Sequence, residues 1–356
     1  MDSYLEIKKF DKCTKQEWNA FCDNSDDVWL WHHYDSIVAK SLWSNLENNS
    51  FIVIDNSNKK QIVLIFPFFL EKKKKLIDYS SFESTGGPAF INDISEKKKQ
   101  KIFHFVNNYI IKEMKRRNIF KCEFLLSILS SSIINKKRII PNPLFPLIDN
   151  DNSSFTWIIN LKEQTIDMIN NNFSKKTKTI LNKTADKLKF MEVKKKDLND
   201  ILEKYFDYHK SMAKRKMINS HSYEYFKYIF FNFPEKNKKI FYVINNNNDI
   251  LTISIFGLYK KNVIYWCNTS SNKGLDSSAN YFCMSKSIEF FKRKGFSFLE
   301  VGEGFNSLIE SSQQGLNHFK KSFGGSKFPL FRGEKIIGLY KNIFLNVLRL
   351  IFLKFK

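Results

Sequence analysis

Several patterns on which large functional classes depend are missing from the sequence. Its five cysteines, Cys13, Cys22, Cys122, Cys267 and Cys283, are scattered and contain no CxxC pair. That spacing excludes a disulfide framework and a paired-cysteine zinc site, and it points to a reducing compartment. No uninterrupted apolar run approaches the roughly 20 residues that span a bilayer. The opening stretch, MDSYLEIKKF, lacks the basic-then-apolar order of a secretory signal, so a cytoplasmic protein is expected. There is no GxSxG elbow, and no cysteine has a histidine in a recognisable catalytic pattern, so an acyl-enzyme nucleophile is not expected. His32 and His33 lack metal-ligand spacing and read as structural or solvated; no metal site is expected.

Basic and aromatic residues are abundant. The net charge is +22, from 58 basic and 36 acidic residues, and there are 36 phenylalanines. A field of that sign favours anionic partners such as nucleic acid, acidic lipid or phosphorylated substrates. AT-rich coding produces the same abundance of Lys, Asn, Ile and Phe, and charge governs association rather than fold. The basic stretch KKTKTILNKTADKLK (175–189) has no interleaved aromatics, which argues against sequence-specific DNA recognition. At 43% hydrophobic residues the chain can bury a true core, and 356 residues suit two domains.

The hydrophobic pattern alternates between strand and helix. A helical region (18–43) precedes two apolar runs (51–54, 61–69), a helix (97–118) and a buried strand (119–128). PNPLFPLIDNDNSS (141–154) reads as a linker. The pattern then restarts: a strand (155–161), a lysine-rich helical region (164–190) and two more helical stretches (197–214, 222–232). Three apolar runs (240–244, 250–259, 263–270), a helix (277–295), a strand (296–302) and a last strand near 326–332 complete it. Each half thus shows helices, an antiparallel meander, a helix and a strand, which predicts a duplicated α/β (α+β) unit. The expected domains are 1–145 and 155–335, followed by a basic amphipathic tail at 336–356.

Four stretches carry a family resemblance: FSKKTKTILNKTADKLKF (173–190), CNTSSNKGLDSSANYFCMSKSIEFFKRKGFSFLEVGEG (267–304), STGGPAF (84–90) and, most specifically, GLNHFKKSFGG (315–325). The last is similar to the Gly-Leu-x-x-Phe-Lys-x-x-Phe-Gly motif of FemAB-type acyltransferases. The sequence departs from that family at several places, among them the absence of the usual glycine after the basic helix. Lys178 stands where arginine is usual, Glu300-Val301-Gly302 where Asp-Phe-Gly is common, and Gly86 where an arginine precedes Gly-Pro. The resemblance implies two GNAT-like domains, each a mixed, mostly antiparallel sheet flanked by helices. It also implies N-acyl or aminoacyl transfer to an amine on a cell-envelope sugar or lipid-linked precursor. Acyl-CoA or aminoacyl-tRNA would be the donor co-substrate, with no tightly bound cofactor, and Phe319 and Lys320 would lie in the active cleft.

The residues support their own reading beside this one. Read as a helix from Leu316, the motif places Leu316, Phe319 and Phe323 on one apolar face, Lys320 on its edge and Lys321 pointing away. Lys320 can therefore lay its stem on the core and aim its ammonium into a cleft, as an oxyanion or phosphate donor. Glu300 and Glu303, at a strand end, are candidate proton acceptors. Asn272, Ser277 and Ser278 open a helix and can offer donors to phosphate or acyl oxygens, with Ser277 or Ser278 as its N-cap. Lys178 and Lys183 are the expected substrate contacts of the basic helix. The rival reading is a non-catalytic basic protein docked on anionic membrane or RNA, which would leave Lys320 in open solvent. The tail reads either as an interfacial helix on the inner face of the plasma membrane or as a helix docked on a protein surface.

Overall fold

The computed structural model describes residues 4–57, 60–73, 79–136, 140–304 and 311–338, with backbone alone at 311–313. The tail reading at 336–356 falls almost wholly outside the described residues. Two compact units emerge. The first comprises the described parts of Met1–Ser41, Asn45–Ser153 and Leu330–Lys356; the second comprises Leu42–Ser44 and Ser154–Pro329. Among the described residues, no helix is long and apolar enough to cross a membrane.

In the first unit, Pro67 divides what the sequence suggests is one apolar run. Proline supplies no amide hydrogen, so a ladder cannot continue through it. Gln61–Phe66 joins a four-stranded sheet with Leu5–Lys9, Phe51–Asp55 and Ala89–Phe90. Phe69–Lys73 joins a separate six-stranded sheet, ordered Leu46–Asn48, Phe69–Lys73, Tyr79–Gly86, Lys121–Leu126, Arg332–Ile336 and Asn150–Asp151. The helix Glu96–Arg116 starts at Ser95, whose hydroxyl accepts from the Lys98 amide. Its Ile102, Val106, Ile110 and Met114 recur every fourth residue and are buried in one core with Phe51, Phe66, Phe68 and Phe82. The proline-rich stretch is not a free linker: Leu144 and Leu147 are fully buried in that same core. Arg332–Ile336 pairs antiparallel with Lys121–Leu126, so the end of the sequence-defined second domain completes the first unit's sheet.

The second unit is built on one seven-stranded sheet. Its order is Leu188–Glu192, Lys238–Asn245, Ile250–Tyr259, Asn262–Ser270, Phe298–Gly304, Ser154–Asn160 and Ser326–Leu330. Leu188–Glu192 is a strand where the lysine-rich pattern suggests continued helix; its pairing with Lys238–Asn245 overrides the local signal. The helix Ala279–Arg293 crosses between two parallel strands, burying Phe282, Cys283, Met284, Ile288 and Phe291.

Each unit contains a parallel pair of strands, and the two pairs differ. In the first unit, pairing runs from Phe82↔Cys122 to Gly86↔Leu126, up to the end of both strands. In the second, it stops after Asn262↔Phe298, Val263↔Leu299 and Ile264↔Glu300. One strand continues to Ser270 and the other to Gly304 without further pairing to each other. The parallel seam opens there.

Candidate active site

Glu300 is the last paired residue before the seam opens, and a β-bulge lies directly after it. Trp157 lies opposite Gly302 and Ile158 opposite Glu300, so Val301 is the extra residue. An extra residue reverses the alternation of faces beyond it. Glu300 and Glu303 would point to opposite faces of a regular strand; with the bulge, both meet hydroxyls from one face of the neighbouring strand. Thr156 Oγ1 donates to Glu300 Oε1 at 2.7 Å, and Ser154 Oγ donates to Glu303 Oε1 at 2.7 Å.

Gly302 has φ +125°, a conformation that side-chain-bearing residues avoid. A Cβ there would meet Lys320 Cε at 3.2 Å and Nζ at 3.4 Å. The missing side chain is thus what lets the Lys320 stem lie across the strand. Lys320 comes from the helix Ser311–Lys321, and its Nζ donates to the backbone carbonyl of Glu303. That helix starts earlier than the sequence suggests, because Gly315 is exposed with open space around it and does not end the helix. Gly324, at φ +76°, closes the turn after it. Phe319 and Phe323 are buried, Leu316 is half-buried and Lys321 is exposed, so the faces fall as the spacing predicts. Phe319 packs edge-on against Tyr281 at 5.0 Å between centroids and lies 6.2 Å from Tyr265.

The electrostatics follow from burial. Burial pushes the Glu300 carboxyl up to about 7, outweighing the Thr156 hydrogen bond and the attraction of Lys320. Burial pushes the Lys320 ammonium down, against the stabilising charges of Glu303 and Glu300; Lys216, from the helix Leu198–Lys216, pushes in the same direction as burial. An acid that is half-ionised near neutrality thus sits by a cation with a loosened proton. This is the pairing expected where protons move. No thiolate competes as nucleophile at this wall, since burial pushes Cys267 up to about 12 and Cys283 up to about 11.

The other sequence-derived residues lie elsewhere. Lys178 and Lys183 are exposed on the helix Lys175–Thr184, and Lys178 Nζ donates to the Asn171 carbonyl at 2.9 Å. Asn272 is exposed in a separate short helix, Asn272–Asp276, which is capped by Ser271 and precedes the helix that Ser278 opens. Gly274 makes that turn possible, because a Cβ would fall 2.0 Å from the Leu251 carbonyl oxygen. Ser277 donates to the Gly274 carbonyl, and Ser278 holds the N-cap position of Ala279–Arg293 with φ +56° and no side-chain cap bond. Ser154, Thr156, Gly302 and Lys216 are the residues that sequence reasoning missed. In unit one, both ring nitrogens of His32 are engaged: the Trp29 amide donates to Nδ1, and Nε2 donates to the Gly87 carbonyl at 3.1 Å. Its ring lies 3.0 Å from where a Gly86 side chain would begin, the position at which the family carries arginine.

No family model matches the chain, and no curated protein matches it by sequence. Its structure does have relatives. FemX superposes with a TM-score of 0.64 at 13% identity, over 95% of this chain and 99% of FemX. A tandem GNAT protein from the clavulanic acid biosynthesis pathway superposes with a TM-score of 0.53 at 7% identity, over 94% of this chain and 99% of that one. The fold is that of a tandem GNAT protein. The C-terminal domain of a putative lysylphosphatidylglycerol synthetase from Agrobacterium fabrum also shares this GNAT fold, with a TM-score of 0.55 at 12% identity, over 93% of this chain and 94% of that one. At such identities the likeness is one of fold, and the chemistry must come from the residues of this chain.

Proposed function

We propose that the protein is an N-acyltransferase that joins an acyl or aminoacyl group to an amine. The observation that carries this reading is the juxtaposition of Glu300, Gly302 and Lys320 where the parallel strands of the second unit part. A neutral amine nitrogen attacks the carbonyl carbon of the activated acyl group and forms the new C–N bond. The carbonyl π pair moves to oxygen, and the Lys320 ammonium donates to the resulting oxyanion. Glu300 takes the proton from the attacking nitrogen, directly or through water. Collapse of the oxyanion breaks the bond to the leaving group, a thiolate from acyl-CoA or a ribose oxygen from aminoacyl-tRNA. The proton held by Glu300 neutralises that leaving group. Glu303 anchors Lys320 through its carbonyl, and Phe319 supports the helix from below.

The acceptor in this reading is an amine on a cell-envelope sugar or lipid-linked precursor; the lysylphosphatidylglycerol synthetase relative is by its name one that makes a lipid product. The exposed Lys178 and Lys183, with Asn272, Ser277 and Ser278, are proposed substrate contacts outside the reacting centre. The non-catalytic alternative gains if Lys320 points to open solvent with no cavity nearby; against it, the Lys320 stem is held against Gly302 and its ammonium on the Glu303 carbonyl. The test is turnover of labelled acyl-CoA and aminoacyl-tRNA donors against a panel of amino-sugar and lipid-linked amines. Transfer that depends on Lys320 supports the proposal; none across the panel overturns it.

A further inference from the structure

The helix Leu198–Lys216 buries Ile201, Tyr205, His209 and Ala213, each one turn after the last. Met217 is next in that series, yet the helix stops before it. Its φ is 51°, and a Schellman pattern closes the end: the Met217 amide donates to the Lys214 carbonyl at 3.3 Å and the Ile218 amide to the Ala213 carbonyl at 3.0 Å. Glycine is usual at such a left-handed position, because a Cβ crowds the backbone there. Here a methionine occupies it and is turned out of the core, 93% exposed. Ile218, at the position that commonly packs back on the helix, is 53% exposed. Of the exposed large apolar side chains among the described residues, Met217 is the most exposed, and these two are consecutive.

Positive charge adjoins the pair. Lys214, Arg215 and Lys216 form the exposed last turn of the helix, and no acidic residue lies between Asp207 and Glu224. Cations complement the negative end of a helix, which is reason enough for their presence. None of the three engages a carboxylate among the described residues, however, so their charge is available to an outside partner. The helix dipole gives no reason for an exposed methionine and isoleucine beside them. Two side chains supply far less than the roughly 1,200 Å² that a stable protein interface buries, and aliphatic chains give RNA bases nothing to stack on. A bilayer makes neither demand. Aliphatic side chains enter the boundary of its acyl region while adjacent cations meet anionic headgroups.

We propose that the turn at 214–218 docks the second unit on an anionic lipid bilayer, with Met217 and Ile218 inserted at the acyl boundary and Lys214, Arg215 and Lys216 on the headgroups. Lys216 acts on the charge of Lys320, so the turn lies beside the candidate active site, and docking brings that site to the membrane surface. Only this last consequence rests on the acyl-transfer reading. The docking itself is read by binding, whereas turnover of a water-soluble acceptor tests the chemistry, so either can fail without the other.

Sedimentation of the full chain at physiological salt tests it, with vesicles of phosphatidylcholine alone or with about one-third phosphatidylglycerol. The anionic vesicles should bind the chain far more tightly. Met217→Asn combined with Ile218→Gln removes the apolar pair and leaves the charge; asparagine tolerates a left-handed backbone, so the melting temperature should hold. This double variant should bind about tenfold more weakly or worse. Met217→Leu, which keeps an apolar chain, should bind like the natural sequence. Lys214→Ala and Arg215→Ala should each cost about fivefold, against a change within about twofold for Lys294→Ala, an exposed lysine elsewhere in the unit. Absence of vesicle binding overturns the proposal. So does unchanged binding by the double variant, which would assign the contact to another part of the chain. Equal losses in Lys294→Ala and Lys214→Ala would mean diffuse attraction, and equal binding to both vesicles would remove the cations from it; either result overturns it as well.

Discussion

The two parallel strand pairs use the same topology for different ends. In each, the strand after the crossover helix carries a glutamate at its third position: Glu123 in the first unit, Glu300 in the second. Glu123 lies in a seam that stays closed. Lys73 binds it at 2.6 Å and Lys121 at 3.1 Å, and although burial raises its carboxyl, these cations hold it below the usual range. Glu300 lies where the seam opens. Its direct partner is the Thr156 hydroxyl, and burial dominates. The same residue at the same place in the fold is thus held toward the anion in one unit, whereas in the other its carboxyl is raised to about 7, where the proposed mechanism asks it to carry a proton. What separates them is the number of nearby cations that reach the carboxylate, together with whether the strands part.

Removing the carboxyl should have the largest effect on that contrast. Glu300→Gln should lower kcat/KM by ~10²–10⁴, the usual contribution of a positioned general base, whereas Glu123→Gln should leave it within a fewfold. The same substitution should also abolish the rise of kcat/KM with pH centred near 7. Next comes the cation. Lys320→Ala should reduce turnover by ~10²–10³, against a change within about twofold for Lys294→Ala, an exposed lysine elsewhere in the same unit. Equal small losses in both would remove Lys320 from the chemistry.

Gly302→Ala should rank third. Positive φ makes an alanine costly by about 1–3 kcal/mol, and its methyl would press on the Lys320 stem. A drop in melting temperature accompanied by a roughly tenfold loss of turnover is expected; a fully active, equally stable variant would contradict the role given to this glycine.

The smallest effect is one of stability. The folded Glu300 carboxyl is raised above its unfolded value, so the folded state holds more protons between the two, and stability falls as pH rises from about 4.5 to about 7. At pH 8, Glu300→Gln should therefore raise the melting temperature, reflecting up to about 3 kcal/mol at 1.36 kcal/mol per pKa unit. Glu123→Gln, which breaks existing ion pairs, should lower it slightly. Denaturation scans at pH 5 and pH 8 separate the two signs.

Much of this was legible in the sequence because it depends on local spacing. The i, i+3, i+4 and i+7 positions of Leu316, Phe319, Lys320 and Phe323 are sufficient to put Lys320 at the edge of a buried face. The alternating apolar runs give the antiparallel strands. The features that stayed hidden depend on partners far along the chain. The bulge at Val301 exists only against Trp157 and Ile158, so the shared face of Glu300 and Glu303 and the roles of Thr156 and Ser154 could not be read locally. Arg332–Ile336 looks like the end of the second domain until its pairing with Lys121–Leu126 is known. Leu188–Glu192 lies in a stretch of helical composition and becomes a strand through Lys238–Asn245. Gly315 reads as a breaker, yet an exposed helical glycine costs only about 1 kcal/mol, which neighbouring packing offsets.

The contrast between the two glutamates can be measured without any substrate. Carbon-13 NMR of the full chain labelled at glutamate side-chain carboxyls, with Glu300→Gln and Glu123→Gln spectra for assignment, gives each midpoint directly. Glu300 should titrate near 7 and Glu123 below the usual 4.5. A Glu300 midpoint in the ordinary carboxylate range would mean that the open seam does not create a proton carrier, and the central claim would fail.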